Sequence, residues 1–174
     1  VSVRIISSRV DLVDKKGMIK PDWFTFFSDW VAQFNKRELT GSATATAVTG
    51  STTATEALSA SVVTGVTGSL RMTINTTTTN NANAKTIIVK AGGVVIQTAT
   101  VTNSTAFQSI SFLLSGRAAN SQYCSVTSAI NCTGTAGAVA VDMSGSVTIS
   151  VELQLGNAAD TITLQSYFID LGVA

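Results

Sequence analysis

The 174-residue chain contains no histidine. That removes the commonest general base and transition-metal ligand, and with them Ser-His-Asp and Cys-His catalysis. Carboxylates remain. A pair of acids about 5–10 Å apart supports glycoside hydrolysis, and Asp142, Glu152, Asp160 and Asp170 are the candidates in the C-terminal part of the chain. They are widely spaced, so only the fold can bring two together; taken singly they read as turn and surface charges, Asp160 following Gly156-Asn157 in a turn segment. The two cysteines, Cys124 and Cys132 in YCSVTSAINC, are separated by seven residues. Two readings fit that spacing: a disulfide across a hairpin, or two small buried thiols in a reduced compartment. With two cysteines and no histidine, neither a Cys₂His₂ nor a Cys₄ metal set can be completed within one chain.

Other motifs are as sparse. There is no G-x-G-x-x-G and no G-x-x-x-x-G-K-[ST]; Gly92-Gly93 reads as a hairpin turn rather than a phosphate cradle. No EF-hand pattern occurs, which leaves calcium only loop Asp and Asn oxygens. The N-x-[ST] matches at Asn75, Asn103 and Asn131 are what a chain this rich in Thr and Ser produces by chance. No catalytic residue, metal ligand set or cofactor is assigned, and a non-enzyme is expected.

The elements that would position any site differ sharply along the chain. Residues 23–34, WFTFFSDWVAQF, hold six of the eleven aromatic residues. Pro21 suits the first turn of a helix and Asp22 its positive end. From there Trp23, Phe26, Phe27, Trp30, Val31 and Phe34 follow the i, i+3, i+4, i+7 spacing of one helical face, while Asp22, Asp29, Gln33 and Lys36 take the other. The spacing predicts a helix over about residues 21–36, preceded by a short extended arm at 3–6. So much aromatic surface on one face packs either on the rest of the chain or on a partner. On the second reading Trp23, Phe26, Phe27, Trp30 and Phe34 are the docking residues.

After Gly41 the chain is mostly Thr, Ser, Ala, Gly, Val and Asn. Residues 1–41 carry twelve charged side chains and the other 133 residues only nine. A domain with so little charge is expected to cover part of its outer surface in an assembly. The net charge of +1, without a basic run, does not fit a nucleic-acid binder. No apolar stretch approaches the roughly 20 residues of a membrane span, and no secretory signal is recognised at the N-terminus, so synthesis in a cytoplasm is expected.

The period then changes from 3.6 to 2. Segments 69–75, 86–91, 94–100, 107–114, 122–128, 147–155 and 162–169 are rich in β-branched and aromatic residues, and in VTISVELQL the residues Val147, Ile149, Val151, Leu153 and Leu155 alternate with polar ones. Turn-forming clusters separate them, as in TTTTNNANAK and LGNAAD. With weaker candidates at 53–63 and 138–142 this makes eight or nine strands. The expected fold is mainly β: an antiparallel, jelly-roll-like β-sandwich preceded by the arm and one short amphipathic helix. The expected organisation is a docking segment at 1–41, a low-complexity linker or first strand at 42–54, and the sandwich at 55–174.

The front segment, RIISSRVDLVDKKGMIKPDWFTFFSDW, resembles the short N-terminal module of structural proteins of tailed bacteriophages, through Val13, Asp14, Gly17, Ile19, Trp23, Phe24, Phe26 and Phe27. The strings KTIIVKAGGVVIQTATVTNSTAFQSISFLLSGRAA and ITLQSYFIDLGVA are similar to the β-sandwich that often closes such proteins. Lys15-Lys16 and Lys20-Pro21-Asp22 depart from the usual wording, and no long fibre shaft lies between the two regions. The resemblance implies a virion structural protein made in the host cytoplasm, a homotrimeric short fibre or spike. Its front would dock to other virion proteins and its sandwich would project, with loops available to a host glycan or protein. A head fibre or capsid-decorating (cement) protein is the alternative. A carbohydrate-binding module or adhesin is a further one, and it requires surface aromatics from among Phe107, Phe112, Tyr123, Tyr167 and Phe168.

Overall fold

A computed structural model describes Trp23, Phe27 and residues 40–42, 44–65, 67–101 and 105–172. The chain divides into two compact units, Val1–Glu38 and Leu39–Ala174. In the first, Trp23 and Phe27 have helical backbone, and their rings stack at a centroid distance of 5.8 Å and an interplanar angle of 30°. That is the i, i+4 contact of one helix face. The arm, the bounds of the helix, and Phe26, Trp30 and Phe34 lie outside the described residues.

Among the described residues of the second unit are twelve strands: β1 (Thr40–Ser42), β2 (Thr46–Thr49), β3 (Thr55–Val62), β4 (Ser69–Thr78), β5 (Lys85–Ala91), β6 (Val94–Val101), β7 (Phe107–Ala118), β8 (Ser121–Ile130), β9 (Cys132–Gly134), β10 (Gly137–Val139), β11 (Val147–Leu155) and β12 (Thr161–Gly172). One sheet runs β1-β12-β4-β7-β8-β10, with β2 also on β12; the other runs β3-β11-β5-β6-β9. Every pairing is antiparallel. The fold is the expected two-sheet antiparallel β-sandwich. Eight of the eleven connections pass from one sheet to the other, which ties both edges of the core together.

Alternation explains the core. On β4 the side chains of Leu70, Met72, Ile74 and Thr76 point inward; on β7 those of Gln108, Ile110, Phe112 and Leu114 do; on β11 Val147, Ile149, Val151, Leu153 and Leu155 are buried as their period predicts. On β12 a bulge between Leu164 and Ser166 resets the phase, so that Ile162 and Leu164 before it and Ile169 and Leu171 after it all reach the core. The same reset turns Phe168 outward. Its ring lies beside Gly41, its partner on the edge strand, where a β-carbon would come within 3.9 Å of it.

Several connections rest on left-handed backbone, among them those at Gly92-Gly93, Asn120 and Asn131. Gly92 and Gly93, at φ 55° and 82°, form the two-residue turn between β5 and β6. Asn120 (φ 55°) turns β7 into β8, and Asn131 (φ 56°) stands where the chain leaves β8 for β9 in the other sheet. Asn131 Nδ2 donates to the Phe107 carbonyl at 2.8 Å, and Asn75 Nδ2 donates to Ser166 Oγ at 3.0 Å. Two of the three N-x-[ST] asparagines thus use their amides to join strands; Asn103 lies outside the described residues.

Candidate functional site

The four acids do not converge. Asp142 lies in the β10–β11 connection, Glu152 on β11 in the five-stranded sheet, Asp170 on β12 in the seven-stranded sheet, and Asp160 in the β11–β12 connection at the end opposite Asp142. Among the described residues no three His, Cys, Asp or Glu side chains are placed to hold a metal ion. Glu152 accepts from Lys90 Nζ at 2.5 Å on a part-exposed face, a pairing worth at most about 1 kcal/mol. Asp142 accepts from the Ser144 amide, and hydrogen bonds from Ser144 hold its carboxyl below the usual carboxylate value.

Asp160 is not a surface charge. It is 3% exposed, and Lys85, at the start of β5, is 1% exposed. Asn81 Nδ2 donates to one carboxylate oxygen at 2.7 Å and Asn83 Nδ2 to the other at 2.9 Å. Lys85 Nζ lies 3.6 Å from Asp160 Oδ2 and donates to Asn81 Oδ1 at 2.5 Å and to the Asn83 carbonyl at 3.0 Å. Around this centre the backbone joins in: Gly156 N donates to Ala84 O at 2.7 Å, Thr161 N to Thr79 Oγ1 at 2.8 Å, and Gly50 N to Ala158 O at 3.0 Å. Three connections at one end of the sandwich, after β2, β4 and β11, are thereby tied into one unit.

The carboxyl of Asp160 is held below the usual carboxylate value by the Asn81 amide first, then by Asn83 and by Lys85, against the opposing effect of burial. A carboxyl depressed in the folded state adds stability above its unfolded value, near pH 4, and loses it as pH falls through the folded value. The contribution is therefore complete at neutral pH.

Three buried glutamines do similar work along the sandwich, each fixing irregular backbone to a sheet. Gln108 Nε2 donates to Thr105 O at 2.8 Å, Gln97 Oε1 accepts from Thr135 N at 2.7 Å, and Gln122 Oε1 accepts from Val141 N at 2.8 Å. Buried amides used in this way are costly to lose, because their backbone partners would be left unpaired.

The cysteines are free and sit in different sheets, Cys124 on β8 and Cys132 on β9, so they do not face each other across a hairpin. Burial pushes the Cys124 thiol up to about 11 and raises Cys132 as well, the latter eased by a hydrogen bond from the Ile130 backbone. A thiol that is both buried and protonated is a poor nucleophile. In a thiol-exchange assay at pH 8 the folded protein is expected to release almost no reporter, and the urea-unfolded protein to release two equivalents. Rapid release from the folded protein would contradict this placement.

Of the sandwich aromatics, Phe112 is fully buried and Tyr167 packs against the core, while Phe107, Tyr123 and Phe168 are 38–45% exposed. Those three do not form a platform: Phe107 faces Thr77, Phe168 faces Thr73, and Tyr123 faces Ser115. Arg117 lies over the Tyr123 ring at 4.9 Å, a cation–π contact at the β7–β8 turn. Of the predicted docking residues, Trp23 and Phe27 are placed together as described above, and Phe27 is 39% exposed. Among the described residues no helix is long and apolar enough to cross a membrane.

No protein-family model and no curated protein matches the chain. Solved structures similar to it include lectin I-B4 from Griffonia simplicifolia in metal-free form, at TM-score 0.41 and 11% identity over 66% of this chain and 78% of that one. Lectin UEA-II complexed with galactose is similar at TM-score 0.35 and 11% identity over the same shares. An alginate lyase from Alteromonas sp. 272 is similar at TM-score 0.29 and 8% identity over 63% and 74%. Likeness at these values assigns neither a family nor an activity to the chain.

Proposed function

We propose that the chain is a structural subunit of a bacteriophage particle: a short, homotrimeric fibre or spike that docks to other virion proteins through its N-terminal unit and projects its β-sandwich toward the host. The observation that carries this reading is the division after Glu38 into an aromatic front unit and a sandwich with few charged residues, four of them exposed. Of the nine charged residues after Gly41, Lys85 and Asp160 are buried against each other, Lys90 and Glu152 are paired, and Glu56, Arg71, Arg117 and Asp142 are exposed. On the outer face of the seven-stranded sheet hydroxyls and amides bond to one another, as in Thr73–Ser111 at 2.8 Å and Asn75–Ser166 at 3.0 Å. Such a surface suits lateral packing against copies of itself, since few ions, Arg71 and Asp170 among them, would have to be desolvated on contact.

In this reading Trp23, Phe26, Phe27, Trp30 and Phe34 form the docking face. Clustered Trp and Phe side chains are the groups that anchor interfaces, and Trp23 and Phe27 already share one face. The protein works by assembly and contact, not by catalysis, and acts in the virion after synthesis in the host cytoplasm. The tied loops at the Asp160 end offer a rigid polar tip for a host glycan or protein.

Light scattering on the full chain and on residues 39–174 tests the proposal. A trimeric mass for the full chain is expected, and a trimer for the shortened chain as well would assign trimerisation to the sandwich and leave the aromatic unit for docking. A monomeric full chain would overturn the trimeric fibre. Copy number in the particle then separates the readings: tens or fewer for an appendage, hundreds for a capsid-decorating protein.

A further inference from the structure

We infer that Lys85 is a tethered structural cation: its ammonium fills an oxygen cage that binds an ammonium-type cation, and so holds the Asp160 end of the sandwich together without a metal ion. Lys85 Nζ is surrounded by Asn81 Oδ1 at 2.5 Å, Asn83 O at 3.0 Å, Asn81 O at 3.4 Å and Asp160 Oδ2 at 3.6 Å. Two main-chain carbonyls, an amide oxygen and a carboxylate oxygen all face one point. Such convergence of negative ends is unfavourable unless a positive charge occupies the centre.

Three of the four distances exceed the roughly 2.6 Å upper limit of calcium coordination. The cage is sized for a hydrogen-bonding ammonium rather than for a bare divalent ion. Its oxygens come from the β4–β5 and β11–β12 connections, more than seventy residues apart in the chain. The cation that joins them is delivered on the core phase of β5, with Ile87 and Val89 following in alternation. The tether matters energetically, because a covalently held cation does not lose translational freedom on binding and is present at any salt concentration.

The test replaces the tethered cation with free ones. In full-length Lys85→Ala protein the removed atoms leave a void beside the cage that matches propylammonium in length. The variant is expected to melt well below the wild type in sodium chloride. At equal ionic strength, propylammonium chloride is expected to raise its melting temperature by several degrees. Ammonium should give a smaller rise and tetramethylammonium, which has no N–H donor, none; the wild type should respond to none of them. Calcium chloride restoring the variant better than propylammonium would overturn the ammonium assignment, and so would an equal response to all salts.

A second measurement needs no variant. In wild-type protein labelled with ¹⁵N-lysine, the ammonium protons of Lys85 are expected to exchange with water far more slowly than those of the part-exposed Lys90. The melting temperature should also be the same in EDTA as in calcium chloride. Equal exchange rates, or a calcium-dependent rise in the wild type, would sink the inference.

Discussion

Replacing Phe112 with alanine is expected to cost about 3–5 kcal/mol, the range for emptying a buried aromatic site. Phe112 is fully buried on β7, where its neighbours in register are Met72 on β4 and Val126 on β8. The ring fills the space between two sheets whose separation is set by many other pairs, so the sheets cannot close over the void and most of the cavity persists. For a domain of this size the melting temperature should fall on the order of 10 °C. Urea unfolding should show a lower midpoint with an unchanged slope, because the surface exposed on unfolding is nearly the same.

Phe168→Ala is the control. Phe168 is 40% exposed on the outer face, and its removal should cost about 1 kcal/mol or less, from lost contact with Gly41. If the two variants shifted the midpoint equally, the inward assignment of Phe112 on β7 or the outward assignment of Phe168 beyond the β12 bulge would be wrong. Phe112→Leu, which keeps most of the volume, should recover more than half of the loss.

The contrast between these two phenylalanines shows what the sequence carries. Phe112 lies in FQSISFLL, where residues 108, 110, 112 and 114 share one phase, so its burial is legible from alternation alone. Phe168 lies beyond a bulge, and a one-residue insertion reverses every later side chain; nothing in ITLQSYFI marks that step. The short strands were illegible for another reason. β1, β2 and β9 are three or four residues of Thr, Gly, Ala, Ser, Val and Cys, too few for a period to emerge. They become strands because β12 and β6 have unpaired edges to offer them, which is a tertiary fact. The stretch 42–54, read as a low-complexity linker or first strand, accordingly holds the end of β1 and all of β2.

The candidate site was half legible. Lys85 stands on the same phase as Ile87, Val89 and Ala91, and a lysine on a core phase is itself a signal of a buried partner. What alternation does not supply is that partner. Asp160 lies 75 positions later, in a turn where acids are ordinarily solvated. Only the crossing of the β4–β5 and β11–β12 connections at one end of the sandwich brings the two charges together. The Asn-rich string NNANAK, read as a simple turn signal, proves to be the set of amides that holds both of them.

That dependence predicts a strongly non-additive mutant cycle. Lys85→Met keeps the length of the side chain and removes the charge, leaving the Asp160 carboxylate buried with two amide donors and no cation. Removing one partner of a buried pair is among the most damaging single changes, and a fall in melting temperature on the order of 10 °C is expected. Asp160→Asn should be milder, since Lys85 keeps Asn81 Oδ1 and the Asn83 carbonyl as acceptors. The double variant should be more stable than Lys85→Met alone, because the uncompensated charge is gone. The pH profile supplies an independent check. Wild-type stability should be level from neutral pH down to about 5 and fall below about 4, as Asp160 takes up a proton in its depressed range. In Asp160→Asn that part of the acid loss should be absent. A simple sum of the two single effects, or an acid limb that Asp160→Asn leaves unchanged, would mean that the two charges are held apart in solution and that the loops at this end owe their order to the amides alone.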